Sequence, residues 1–284
     1  MNPTPEHRSD HLLHCMEIWG GNHPVESEVT TPGLDAWVYS KPFEGAARGG
    51  DVHYVSLCGG GIITRIILAD VSGHGETVAG FAGSLRRLMR KHINSKSQTR
   101  LVRALNREFA ALAEMSLFAT AVVATYLASR DRLTICNAGH PRPLRYRADR
   151  REWSILSPET VGDGGAPNLP LGIDEKSPYD QFAIAIERDD VVVFYTDALT
   201  EAADPAGRML GEEGLLELAR GLDASQPLRI GPALRDAVAL HRAGRPANDD
   251  VTLLTLHHNA RPPRKLSVGE KLDVYAKVFG LKPV

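Results

Sequence analysis

At 284 residues, 43% hydrophobic and 24% charged, the chain is long enough for one large domain with a substantial core, or for two small ones. A formal net charge of −2 gives no global basic field that would argue for nucleic acid or an anionic membrane, and the longest apolar runs are far too short to span a bilayer. Cys15, Cys58 and Cys136 are widely spaced with no CxxC pair, which fits reduced thiols in a cytoplasmic protein and not a disulfide frame.

Residues 1–33 are polar, dotted with Pro and Gly, and read as an N-terminal extension without the apolar core of a secretory signal. Residues 34–39 open the strands. Residues 51–57 alternate, with Val52 and Tyr54 on one face and His53, Val55 and Leu57 on the other. Residues 58–61 form a turn, and 62–69 are apolar enough for a central strand. As an antiparallel hairpin, these pieces would bring Asp51, at the start of one strand, beside Asp70, at the end of its neighbour. After Gly75 the period changes: Val78, Phe81, Leu85, Leu88 and Met89 fall at helical spacing. Arg86, Arg87, Arg90 and Lys91 crowd its last turns and read as a solvated helix end. Leu101, Leu105, Phe109 and Leu112 mark a second helix, so residues 76–115 form a helical hairpin.

Strands resume at 118–126, 133–136, 143–146 and 152–156. Residues 161–170, rich in Gly and Pro, are a loop. Residues 191–195 are a buried strand ending at Thr196-Asp197, 214–220 and 232–240 are helices, and 251–256 are the last strand. Residues 259–284 form a basic, Pro-containing linker and a helical tail. Strand runs interrupted by paired helices predict an α+β domain over 34–258, an antiparallel β-sandwich flanked by helix pairs.

Four aspartate motifs stand at edges of apolar, β-branched runs: Gly49-Gly50-Asp51, Ala69-Asp70-Val71, Tyr195-Thr196-Asp197 and Asn248-Asp249-Asp250-Val251-Thr252. A single aspartate beside a glycine is usually a turn residue. Four at strand ends, two of them linked by one hairpin, are what a hard divalent cation needs, and paired cations can activate water and clamp a phosphoryl group.

The ordered motifs make this specific: Gly-Gly-Asp at 49–51, Ala-Asp-Val-Ser-Gly-His-Gly at 69–75, Phe-Ala-Thr-Ala at 118–121, Asn-Ala-Gly-His-Pro at 137–141, Leu-Pro-Leu-Gly at 169–172, Thr-Asp-Ala-Leu-Thr-Glu-Ala at 196–202 and Asn-Asp-Asp-Val-Thr at 248–252. In this order the chain resembles the metal-dependent protein serine/threonine phosphatases (the PPM family), in particular the bacterial branch typified by the stage-II sporulation phosphatase. The resemblance implies a two-layered β-sandwich with helix pairs and a centre of two Mn²⁺ or Mg²⁺ ions at one end. It implies Asp51 bridging the ions, Asp70 at the same centre, the Val71 carbonyl as a further ligand, Asp197 and Asp249 on the other side, and Asp250 orienting its neighbour. The implied reaction is hydrolysis of phosphoserine or phosphothreonine on a protein by a metal-activated water, without a phosphoenzyme. The substrate expected by the same resemblance is a bacterial signalling regulator such as an anti-sigma-factor antagonist, with a regulatory protein acting at helices 76–115.

Arg48 is a candidate contact for the incoming phosphate, or a plain surface arginine. His74 and His140 are candidates for an acid at the leaving oxygen, or for hydrogen bonding to the backbone. The family's usual Thr-Asp-Gly is Thr196-Asp197-Ala198 here, where a methyl either shifts the loop or does little if φ is negative. Residues 74–80 superficially resemble the histidine segment of subtilisin-type proteases, but the required serine turn is missing. Gly49-Gly50-Asp51 resembles the cyclic di-GMP cyclase signature, but Val52-His53 follows in place of Glu-Phe. The remaining alternative is a pseudophosphatase, a phosphoprotein-binding regulatory module weakened through Ala198 or a poor metal site.

Overall fold

The computed structural model describes residues 9–14, 17–58, 61–72, 76–92, 98–112, 118–159 and 168–262, with 267 and 269. In chain order the first elements are β1 (Ser9–Leu12), β2 (Ile18–Gly21), β3 (Val25–Thr31), β4 (Leu34–Lys41), β5 (Val52–Cys58), β6 (Ile63–Val71), α1 (Glu76–His92) and α2 (Gln98–Leu112). They are followed by β7 (Ala119–Leu127), β8 (Arg132–Ala138), β9 (Leu144–Arg147), β10 (Glu152–Ile155), β11 (Phe182–Ala185), β12 (Val191–Tyr195), α3 (Gly211–Arg220), α4 (Ile230–His241) and β13 (Val251–His258). One sheet runs β1-β3-β4-β13-β12-β9-β10 and the other β11-β8-β7-β6-β5-β2.

Alternation along the strands sorts side chains into three cores. Val55, Leu57, Ile66, Leu68, Phe194 and Leu254 meet between the sheets. The opposite faces of β5, β6 and β7 give Val52, Tyr54, Ile67 and Val123 to α1 and α2, which bury Leu85, Met89, Leu101, Leu105 and Phe109 against them. The outer face of the other sheet gives Trp37, Val193, Tyr195 and Leu253 to α3 and α4. The molecule is thus layered helix–sheet–sheet–helix, with β12 buried at every position because it has neighbours on both faces and both edges.

The structure adds strands that the sequence did not signal and revises the reading of one helix end. The boundary at Gly33 falls inside a hairpin: β3 pairs antiparallel with β4 from Val25↔Ser40 to Thr31↔Leu34, β1 pairs parallel with β3, and β2 edges the other sheet against β5. The alternating positions of β3 that are buried are Ser27, Val29 and Thr31, two of them polar, so no apolar period marked this strand. A short strand, β11, follows the 168–172 segment and pairs with β8. The arginine-rich end of α1 is only partly solvated, because Arg86 donates to the Gly20 carbonyl at 3.1 Å and lies 5.6 Å over the Tyr54 ring, tying α1 to β2. The 161–170 loop up to residue 167, and the tail beyond 269, lie outside the described residues.

Candidate metal centre

The register of β5 against β6 decides where the first two aspartates go. Val52 faces Ala69, so one step further along the pair Asp51 and Asp70 stand across from each other. Antiparallel pairing of β12 with β13 brings Asp197 and the Asp249-Asp250 turn to that same end, since Tyr195 faces Leu253. Asp51, only 2% exposed, has its carboxyl pushed well up, first by burial and then by the charge of Asp70. Asp70 is pushed up to about 8 by burial and by Asp197, Asp249, Asp250 and Glu201. Asp197, on a one-turn 3₁₀ helix at the exit of β12, is raised by burial and by Glu201. No lysine, arginine or histidine pairs with Asp51, Asp70 or Asp197 among the described residues.

Several neutral groups aim these carboxylates. The Thr196 hydroxyl donates to Asp51 Oδ2 at 2.9 Å, while Thr252 N–H donates to Thr196 Oγ1 at 3.0 Å. The Thr252 hydroxyl, 2.9 Å from Ser40 Oγ, also favours the ionised Asp51. These threonines were not singled out from the sequence, although each stands one or two residues from an aspartate. Asp250 accepts from the N–H groups of Phe43, Gly50 and Asp51, the last at 3.3 Å. It clamps the Gly49–Asp51 turn and not merely its neighbour Asp249. That clamp requires glycine at 49, where a Cβ would stand 2.3 Å from Asp250 Oδ2. Asp249 accepts from Asp250 N–H at 2.7 Å.

The intervening motifs build the walls. Asp70 faces Thr120 across β6 and β7, and Thr120 Oγ1 is 2.8 Å from His140 Nδ1. His140 is buried, its pKa lowered to about 3 by burial, and the Asn137 side chain bonds both its N–H and its carbonyl. Its main chain is thus held by Asn137 and its ring by Thr120, the hydrogen-bonding arrangement expected of a loop histidine. Leu171 exchanges two backbone hydrogen bonds with Ala119, and Gly172 N–H donates to Asn106 of α2, anchoring that helix. Val71 buries its side chain against the helices, leaving only its main chain for the site. Ala198 has no positive φ and sits within the 3₁₀ turn, so alanine replaces glycine there without backbone strain. Arg48 is exposed on the loop before Gly49, and His74 lies outside the described residues.

The donor set fits a hard divalent cation: it is all oxygen, Asp51 is buried and Asp70, Asp197 and Asp249 half-buried, and Asp51, Asp70 and Asp197 lack compensating positive charge among the described residues. Among the described residues no three His, Cys, Asp or Glu side chains close around one point. A cation held here would therefore take further ligands from main-chain carbonyls or water, and Mg²⁺ usually keeps several of its waters.

A sequence profile of the stage II sporulation protein E (SpoIIE) family matches residues 63–259. The chain belongs to the SpoIIE family. Among curated proteins it is similar to Protein IcfG of Synechocystis sp., 23% identical over 260 residues, covering 81% of this chain and 39% of that protein. It is also similar to the phosphoserine phosphatase RsbU of Bacillus subtilis, 27% identical over 148 residues, covering 50% and 41%. The chain thus spans about two fifths of the length of the curated relatives it matches. The structure of the RsbU and RsbW domains of Rv1364c from Mycobacterium tuberculosis superposes with a TM-score of 0.69 at 24% identity, over 90% of this chain and 72% of that one. The catalytic domain of the serine threonine protein phosphatase PstP, in complex with 2 manganese ions, gives a TM-score of 0.53 at 16% identity, over 79% and 97%. The SpoIIE-family fold seen here is the mixed α+β fold of PP2C phosphatase domains.

Proposed function

We propose that the chain is a divalent-metal-dependent phosphatase acting on phosphoserine or phosphothreonine of a protein substrate. The observation that carries this reading is the Asp51–Asp70 pair, its carboxyls raised by burial and by neighbouring carboxylates and given no cationic side chain among the described residues, at one end of a fold shared with PP2C phosphatases. Asp51, Asp70, Asp197, Asp249 and the Val71 carbonyl would hold two Mn²⁺ or Mg²⁺ ions. When bound, such ions supply an activated water and neutralise the phosphoryl oxygens. The chain's own part is orientation: Thr196 and Thr252 fix the Asp51 carboxylate, and Asp250 fixes the turn that carries it.

The catalytic unit in this reading is 34–258 together with the paired strands β2 and β3, and 259–284 is a tail. Its substrate is a phosphorylated signalling protein, and a regulatory protein acts through the 76–115 helix pair; the RsbU name and the RsbW domain beside its M. tuberculosis neighbour support both. A cytoplasmic location accords with the buried free thiol of Cys136, and no helix among the described residues is long and apolar enough to cross a membrane. No observation favours the pseudophosphatase alternative, since Ala198 fits its backbone. Hydrolysis of p-nitrophenyl phosphate and of a phosphoserine protein should require Mn²⁺ and disappear in Asp70→Ala. Robust metal-free turnover, or no turnover at any Mn²⁺ concentration while a phosphoprotein still binds, would overturn the assignment.

A further inference from the structure

A cavity of about 630 Å³ opens on the outer face of the seven-stranded sheet, between α4 and the Pro42–Gly45 segment, and has Asp249 in its lining. Its size is within the roughly 300–1,000 Å³ range of ligand pockets. The floor is apolar, from Leu199, Val238, Val251 and Leu253, with Phe43 and Tyr39 alongside.

Four cations line it, and they differ in what holds them. Arg235 pairs with Glu26 and Asp236 at 3.0 and 2.9 Å, and Arg245 donates to the carbonyls of Asp204 and Pro205. Lys41 is exposed and Arg242 half-buried, and neither has a carboxylate partner among the described residues. Arg242 donates to the Ala198 carbonyl at 3.1 Å while its buried Nε has no partner. Burial lowers its pKa, the mark of a cation that lacks an anion. A second cavity, about 130 Å³, adjoins Arg242 and also reaches Asp249. The acids at the larger cavity other than Asp249 are the exposed Glu44 and Asp236, and Asp236 is already paired.

We propose that this groove receives the stretch of substrate protein beside its phosphorylated residue and selects an apolar side chain flanked by acidic ones. The inference rests on the phosphatase reading above. A polypeptide whose phosphorylated residue reaches the carboxylate cluster must leave it across an adjoining surface, and this groove adjoins it through Asp249. The apolar floor takes a side chain, while Arg242 and Lys41 take carboxylates. A free small anion would satisfy Arg242 and leave the floor bare.

The test uses phosphoserine peptides with one leucine and two glutamates on either side of the phosphoserine, and matched peptides with lysines in place of the glutamates. With Mn²⁺, the parent should favour the acidic over the basic peptide by about tenfold in kcat/KM. Lys41→Glu, and Ala239→Trp, which places a large ring at an exposed wall position of α4, should each lower the ratio of acidic-peptide to p-nitrophenyl phosphate kcat/KM. Equal hydrolysis of both peptides, turnover of p-nitrophenyl phosphate but of neither peptide, or a preference that survives both variants would overturn the inference. If the parent hydrolyses nothing, the phosphatase reading fails by itself, and fluorescence anisotropy with the same labelled peptides then decides. Tighter binding of the acidic peptide, weakened in both variants, supports the groove; no binding, or equal binding of the two peptides, overturns it.

Discussion

At one end of the sandwich Asp51, Asp70 and Asp197 have carboxyls pushed up by burial and by neighbouring carboxylates. At the opposite end burial also pushes Asp35 and Asp131 up, yet both are held below the usual carboxylate range by polar neighbours. His257, 3.8 Å away, and the amide of Asn259 serve Asp35, and Tyr126 and His258 serve Asp131. Tyr126 donates to Asp131 at 2.6 Å, and His258 Nε2 lies 3.0 Å from the same oxygen. Nearby, Asp190 is buried but paired with Arg145 at 2.8 Å. The residue types match across the two ends; the difference is whether the chain itself supplies the countercharge. Where it does, carboxylates staple turns. Where it does not, the folded state keeps a cost that a bound cation can relieve.

The largest effect should follow loss of one uncompensated carboxylate. Asp70→Asn should lower Mn²⁺-dependent kcat/KM for p-nitrophenyl phosphate by about 10²–10³-fold, the scale of removing one electrostatic group that acts in a transition state. The same variant, melted without metal at about pH 8, should unfold at a higher temperature than the parent, because a repelling, desolvated charge has gone. A lower midpoint would break the contrast between the two ends.

Mn²⁺ at about 100 times its Kd should stabilise the parent by about 2.7 kcal/mol, read as a rise of several degrees in Tm. Asp131→Asn should keep that rise while Asp70→Asn should lose most of it. A similar metal response in both variants would show that the cation binds elsewhere. At the stapled end, Tyr126→Phe should cost about 1–2 kcal/mol in urea unfolding, since the buried phenol donates to a carboxylate. Its turnover of p-nitrophenyl phosphate should match the parent's, and a large loss there would mean that the two ends are coupled.

The smallest effect is on pH dependence. His257 is desolvated, but the carboxylates of Asp35, 3.8 Å from Nδ1, and Asp189, 3.2 Å from Nε2, hold its pKa above the ordinary 6.5. Its contribution is therefore fully present below pH 6.5 and is lost as pH rises through the raised folded value. Asp35 and Asp131, held below 3.8, contribute above pH 3.8 and lose that contribution as pH falls through their depressed folded values. Asp189 is 53% exposed, so solvent screens much of the His257 effect. The stability difference between the parent and His257→Gln should shrink between about pH 6 and pH 8. A difference that grows over that range would reverse the assigned sign.

Much of the fold was legible because it is written in local periods. The alternation of 51–57 and the apolar run after it implied a hairpin, and that hairpin puts Asp51 opposite Asp70. Leu85 and Met89, then Leu101, Leu105 and Phe109, mark helix faces that do bury against one sheet. The N-terminal strands were not legible, since β3 buries Ser27 and Thr31 where an apolar signal would be needed. Nor was the second duty of Asp250: its three N–H donors come from residues some two hundred positions earlier, and no spacing rule reaches that far.

The order and local chemistry of the motifs determined the family, the strand-end placement of the aspartates and the helix pairs, because these depend on residue type and short spacing. The tertiary structure decided which carboxylates receive a partner. Thr196 and Thr252 aim Asp51, Asp250 clamps the turn before it, and Arg242 is left facing a groove beside Asp249. Countercharge depends on distances between segments far apart in the chain, and those distances exist only after the sheets have packed.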